Sequence, residues 1–233
     1  MVRYKQFGLL ILVIFPIAAF ALSNYRASYD ISVRGVSAGT LMHEAFFTDI
    51  TYRIDTVARP SLAAQMLGYG EIRETVKGLL KNDLILPQNY QRTMKGDSDY
   101  QLNYIFHPKE DKIDVNHAGE EKVLSYDKDL HPLDSLSMVV QALKDTENHH
   151  SPTEYTLVME DKIHTYQVQK LADQTWETRK GKSFAVHVYR QTSGNRQTVI
   201  YFADNPLRLV RLEQFKKGQK RFSMTLTDYQ SLK

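Results

Sequence analysis

The sequence predicts a mainly β fold: a single curved antiparallel sheet (β-roll, half-barrel or barrel) packed on one short amphipathic helix. Three observations carry this. Segments of alternating apolar and polar residues recur roughly every ten residues, with a turn signal between most of them, the pattern of an all-β roll, sandwich or barrel. One stretch, His131 to Lys144, replaces that alternation with a helical period. Cysteine is absent, so core packing and strand ladders must hold the fold without disulfides, which a domain of this size can do.

At the amino terminus, Arg3 and Lys5 precede an apolar run from Phe7 to Phe20, and Ala19-Phe20-Ala21 is a small-x-small cleavage site. This predicts a secretory signal peptide over 1–21, cut before Leu22, and a single β-rich periplasmic domain over 22–233. The alternative is an uncleaved anchor. The run is only about fifteen residues, short of the roughly twenty needed to span a bilayer, and Pro16 interrupts it. With no cysteine to carry a lipid, the expectation is a soluble periplasmic protein and not a lipoprotein. The formal charge of +3 falls to +1 without Arg3 and Lys5, which is not the footprint of a nucleic-acid binder.

From Arg26 to Val33, Tyr29, Ile31 and Val33 point one way and Asp30 and Ser32 the other, which predicts a strand. Gly35 to Gly39 reads as the turn, and Thr40 to Phe47 returns. Ile50, Tyr52, Ile54 and Thr56 mark the third strand, stopped by Pro60. Ser61 to Leu67 is a short turn or helical segment with Leu62, Met66 and Leu67 as a small apolar face. Further strands follow at Glu71 to Gly78, from Leu84 through Pro87 to Met94, and at Tyr100 to Phe106, the cleanest alternation in the chain. Lys112 to His117 and a strand through Val123 complete the first half.

The helix comes next. Leu136, Val139, Val140 and Leu143 fall at i, i+3, i+4 and i+7, on one face of a 3.6-residue helix. Asp134 is placed to cap the free N–H groups of the first turn, where its charge suits the positive end of the helix dipole. Leu133 and Met138 can pack across the cap, and Lys144 suits the last turn. A helix of about ten residues is too short to stand alone, so its apolar face is expected to plug the concave side of the sheet. Lys144 to Pro152 reads as a polar connection.

Beyond it, strands resume at Tyr155 to Met159, Ile163 to Val168, around Trp176, at Phe184 to Val188 and at Thr198 to Phe202. Leu207 to Phe215 and Phe222 to Tyr229 form the last hairpin. Its basic turn, Phe215 to Arg221, reads as a solvated hairpin with Gly218 where the turn needs it, with contact to an anionic lipid or glycan as the alternative.

Several motifs look chemical. Gly35-Val36-Ser37-Ala38-Gly39 matches G-x-S-x-G, but a nucleophile elbow needs a helix after the serine, and Thr40 to Phe47 has no helical face. Gly181-Lys182-Ser183 ends like a phosphate loop, yet Trp176 stands where its first glycine belongs. The eight histidines show no metal-binding helix pattern, and there is no thiolate. His164 and His187 lie on strands whose proximity the sequence does not reveal. The carboxylate pairs Glu120-Glu121 and Asp97-Asp99 lie in turns and read as solvated. No catalytic residue, metal site or cofactor is expected. Fourteen tyrosines and ten phenylalanines read as core and cross-strand packing, or as the wall of an apolar groove beside the helix.

Taken in order, these landmarks resemble an exported bacterial family known as domain of unknown function 3108. The carrying residues are Tyr29, Gly35 and Gly39 at the first hairpin, Tyr52, and Pro87 with Tyr90. Asp134, Leu136 and Ser137 follow at the helix start, then Val188 to Arg190, and Tyr201 with Asp204, Pro206 and Arg208. Position 201 is tyrosine where the family pattern suggests tryptophan. The resemblance implies a β-rich periplasmic protein and supplies no activity or catalytic residue. The expected function is therefore a non-enzymatic envelope protein that binds an apolar ligand, lipid or glycan, through its curved sheet. A scaffold for another envelope protein is one alternative, and a hydrolase using Ser37 with His43 is another.

Overall fold

The computed structural model describes residues 22–96, 99–177, 181 and 183–232. The expected signal peptide, Asp97, Lys180 and Lys182 lie outside the described residues. The first half is a meander of β1 (Tyr25–Val33), β2 (Val36–Phe47), β3 (Thr51–Pro60), β4 (Glu71–Lys81), β5 (Leu84–Lys95), β6 (Tyr100–His107), β7 (Lys112–His117) and β8 (Glu120–Ser125). A short helix, α1 (Leu62–Gln65), sits between β3 and β4. The main helix, α2 (Ser135–Glu147), leads to the second half. That half comprises β9 (Glu154–Met159), β10 (Lys162–Lys170), β11 (Gln174–Glu177), β12 (Ser183–Ser193), β13 (Arg196–Ala203), β14 (Arg208–Lys216) and β15 (Gln219–Ser231).

All of these strands join one antiparallel sheet, in the order β8-β7-β6-β5-β4-β3-β2-β1-β15-β14-β13-β12-β10-β9, with β11 beside β12. The single curved antiparallel sheet read from the alternation is thus what the chain forms, and it stays open between β8 and β9. Across that gap, the Lys122 ammonium of β8 donates to the Asp161 carboxylate and carbonyl in the β9–β10 turn, each at 3.0 Å. Leu133, just before α2, bridges Leu157 of β9. The Lys122–Asp161 contact thus spans the two free edges, and the approach to α2 pairs with β9.

The concave face carries the main core. Tyr25, Tyr29, Ile54, Val76, Tyr90, Leu102, Tyr104, Val115, Ile200 and Phe202 surround α2, which supplies Leu136, Met138, Val140 and Leu143. Burial of such residues at roughly 25 cal/mol per Å² is the main stabilising term. A smaller cluster on the opposite face joins Val186, Val188, Ala203 and Val210 under Trp176. There the Arg211 guanidinium lies 4.8 Å from the Trp176 ring.

Three local expectations are corrected. First, α2 runs to Glu147, beyond the expected end at Lys144. The polar residues of its last turn are held by one bond from β9 and two within the helix: Asp145 accepts from Tyr155 at 2.7 Å and from Gln141 at 3.0 Å, and Thr146 donates to the Ala142 carbonyl. Second, the helix is buried over more than one face. Val139 is only half-buried, whereas Ser137, Met138 and Ala142 are buried, because β5 and β9 both contact the helix. Third, the first hairpin turns on Arg34 and Gly35 alone, both at positive φ, the two-residue turn whose twist matches the strands. Gly39 lies inside β2, where a Cβ would stand 2.2 Å from the Arg59 carbonyl oxygen. Pro87 lies inside β5, as read, opposite a register shift at Gly78. Pairing of β5 with β6 begins only at Asn89, so the missing proline N–H interrupts no bond on that side.

Candidate functional site

Strand register stacks the concave face in rows. Tyr29, Leu41, Ala58, Ile72, Met94 and Tyr100 form one row across β1 to β6. The next row inward is Ala27, His43, Thr56, Glu74, Arg92 and Leu102. Four polar side chains thus lie side by side beneath an apolar row. His43 Nε2 shares a hydrogen bond with the Tyr25 hydroxyl at 3.1 Å, and Nδ1 with Thr56 at 3.0 Å. Burial holds the His43 imidazole down at about 4. Glu74 accepts from Arg92 and from the Tyr90 hydroxyl, both at 2.6 Å.

Inward of these rows the space is full. The gap beside α2, walled by Met138, Ala142, Tyr155, Ile200 and Phe202, measures ≈ 10 Å³, at most the room of one water. On this side of α2 the expected groove is closed by the helix itself.

Outward of the rows the sheet opens into a cleft of ≈ 640 Å³, within the ~300–1,000 Å³ of typical small-molecule sites. Ile31, Ala58, Ile72 and Met94 form its floor, and Pro60, Ala63, Ala64 and Leu67 one wall. Val33, Val36 and Phe222 close the other side, and Ser37, Arg59 and Tyr69 bring side-chain polar groups. Local sequence explains the wall. Pro60 ends β3, and the Ser61 hydroxyl accepts from the Ala64 N–H to cap α1. The Ser61 N–H donates to the Ala38 carbonyl at 2.8 Å, which fastens the turn to β2. The apolar residues of this segment, read as a small packing face, point into solvent: Leu62 is 79%, Met66 89% and Leu67 77% exposed. On the facing hairpin Val36 is 68% exposed.

At the opposite end an opening of ≈ 540 Å³ is lined by Leu143, Thr146, His149, His187, Asp204 and Tyr229 among others. His187 holds Asp173 with Nδ1 and Asp204 with Nε2, each at 3.0 Å. Both ring nitrogens are taken, and no cluster of metal-ligating side chains occurs among the described residues.

Ser37 and His43 do not meet. They lie six residues apart on the same strand, about 20 Å at ~3.3 Å per residue, and both His43 nitrogens are engaged elsewhere. Nor do His164 and His187. Gln167 pairs with Thr192 and Lys170 with Tyr189, a register that sets the two histidines eight steps apart, about 26 Å.

The helix cap is built as the residue types suggest. Asp134 accepts from the Leu136 N–H at 2.9 Å and the Ser137 N–H at 3.0 Å, while the Ser137 hydroxyl donates to its second oxygen at 2.5 Å. Ser137 also shares a hydrogen bond with the Tyr52 hydroxyl at 2.7 Å. Asp134 is fully buried, and desolvation pushes its carboxyl up to about 6 against the pull of those hydrogen bonds. Leu136, Val140 and Leu143 lie in the core, and Gly35 and Gly39 border the cleft hairpin. The cleft itself escaped sequence reasoning. Its one visible trace was the run of small and apolar residues from Ala58 to Leu67, which local pattern alone assigns to packing.

An open antiparallel sheet wound around one helix, with an apolar cleft at one end, defines a β-barrel-like protein. A crystal structure described as a beta-barrel-like protein of domain of unknown function DUF1849, from Brucella abortus, shares this fold with a TM-score of 0.58 and 11% identity. The match covers 91% of this chain and 99% of that one. The chain belongs to the family described as Protein of unknown function (DUF3108), which matches residues 24–227. No curated protein matches.

Proposed function

We propose that this is a non-enzymatic periplasmic protein that binds the acyl chain of a lipid in the cleft between the β1–β2 hairpin and α1. The single observation that carries the reading is the cleft: ≈ 640 Å³, lined mainly by apolar side chains. Such a lining suits a hydrocarbon chain better than a glycan, whose hydroxyls would be left without partners. Support for the compartment comes from the composition of residues 3–21, a short basic start followed by an apolar run and a small-x-small site. The hydrolase alternative lacks its base, since His43 is buried and engaged away from Ser37.

The test is native mass spectrometry of the gently purified protein together with displacement of an apolar fluorescent dye. The wild type is expected to carry lipid and bind the dye. Ala58→Trp fills the floor of the cleft and is expected to abolish both while leaving the far-ultraviolet circular dichroism unchanged. A wild type with neither lipid nor dye binding defeats the reading, as does an unaltered Ala58→Trp variant.

A further inference from the structure

We propose that the rim of the cleft is a membrane-docking face, made to seat on the surface of an anionic phospholipid bilayer. The docking rests on the cleft reading for its purpose, but its contact chemistry stands separately. Large apolar side chains project into solvent from two independent elements at this end: Val33 and Val36 on the β1–β2 hairpin, and Leu62, Met66, Leu67 and Tyr69 on and after α1. Four of them, Val33, Val36, Leu67 and Tyr69, also line the cleft, so the two groups converge on one mouth. An exposed apolar patch of this kind marks an interaction surface.

Charge identifies the partner. Arg34 sits at the tip of the hairpin between Val33 and Val36. Arg59, Arg73 and Lys95 stand exposed around the same end, set against the acids Glu71 and Asp99. Glu71 is already ion-paired to Arg59 at 3.2 Å and to Arg73 at 2.6 Å. Arg34 and Lys95, with an Arg59–Glu71–Arg73 cluster that keeps a net positive charge, flank the protruding apolar side chains, the arrangement of a protein that lies on a bilayer, its apolar tips in the acyl boundary and its cations at the lipid phosphates. Tyr69, 63% exposed, is an amphipathic ring suited to the headgroup level. Seated this way, the cleft opens directly onto the hydrocarbon, so an acyl chain passes between membrane and protein without crossing water.

The experiment is flotation of the full chain with vesicles of phosphatidylcholine alone or of phosphatidylcholine and phosphatidylglycerol in equal parts. The wild type is expected to float with the mixed vesicles and much less with the neutral ones. Met66→Glu combined with Leu67→Glu alters two exposed side chains, so the fold is kept. It is expected to weaken vesicle partitioning by at least about tenfold, the loss when one apolar side chain no longer enters the acyl boundary. Arg34→Gln is expected to cost about fivefold on mixed vesicles only, the share of one cation at an anionic surface. Ala58→Trp is expected to float like the wild type, so failure of the ligand reading and failure of docking are separable. Vesicle binding unaffected by the double substitution, whether driven by residues 1–21 or by another surface, overturns the proposal. So does absence of binding to either vesicle, which would assign the rim to a protein partner.

Discussion

Replacing Asp134 by asparagine should remove a pH dependence without dismantling the helix cap. Asparagine keeps an oxygen to accept from the Leu136 and Ser137 N–H groups, and it is as good an N-cap as aspartate. What it removes is a carboxyl that burial has raised from 3.8 to about 6. The sign follows from proton counts. Between those two values the folded wild type holds a proton that the unfolded chain has lost, so stability falls as pH rises. The contribution is fully present below pH 3.8 and gone once the pH has passed about 6. At 1.36 kcal/mol per unit the change is about 3 kcal/mol. His43 opposes it. Its imidazole is held down from 6.5 to about 4 by burial, so the unfolded chain takes up the proton first and stability rises with pH through that range, again by about 3 kcal/mol. The wild type should therefore look nearly flat from about pH 4 to 6, while Asp134→Asn should gain stability across it. Urea unfolding of both proteins at steps between about pH 4 and pH 7 reads the difference directly, and every other group cancels. A difference that stays constant, or that moves in favour of the wild type as pH rises, would refute the reasoning. It would mean that the helix dipole and the three hydrogen bonds outweigh desolvation.

Three further substitutions test the packing. Gly78→Ala would place a Cβ 2.6 Å from the Tyr52 ring and 2.3 Å from the Leu86 carbonyl oxygen; the overpacking should cost roughly 1–3 kcal/mol in chemical denaturation, and a neutral result would show that the β3–β4–β5 contact is loose. Leu143→Ala, at a side chain 1% exposed, should cost roughly 2–5 kcal/mol, and Leu62→Ala, 79% exposed, within about 0.5 kcal/mol; equal losses would place α2 outside the core.

Period and capping chemistry made most of the fold legible. Leu136, Val140 and Leu143 sit inside because three spacings put them on one face, and Asp134 caps because its side chain is short enough to reach back to two N–H groups. The family landmarks also acquire physical meaning. Tyr52 on β3 meets Ser137 on α2, the Tyr29 hydroxyl donates to the Leu209 carbonyl, and Arg208 donates to the carbonyls of Asp204 and Pro206. Each is a long-range or turn-closing bond that local pattern cannot display. The same limit hid the last turn of α2, where Asp145 and Thr146 look like loop residues until Tyr155 and Tyr189 are brought beside them. The cleft was least legible of all. It depends on registers across β1 to β6 and on a helix too short to bury Leu62 or Met66. His43 was read as a possible base because sequence shows a residue type and not its dielectric.

Strand order has a consequence for how the chain reaches this state. β1 is flanked by β2 on one side and by β15 on the other, with Tyr25 opposite Ser231. Every other neighbour in the first meander lies close by in sequence and can zip as soon as it is made. The outer edge of β1, by contrast, keeps its N–H and C=O groups unpaired until the thirteen residues of β15 are present. Such an edge is a template for pairing with another chain, and so long a closure is slow. A chain that emerges amino terminus first thus keeps the middle of its finished sheet as an open border until β15 arrives. Truncation by even the last strand should convert a late folding step into a permanent site of self-association.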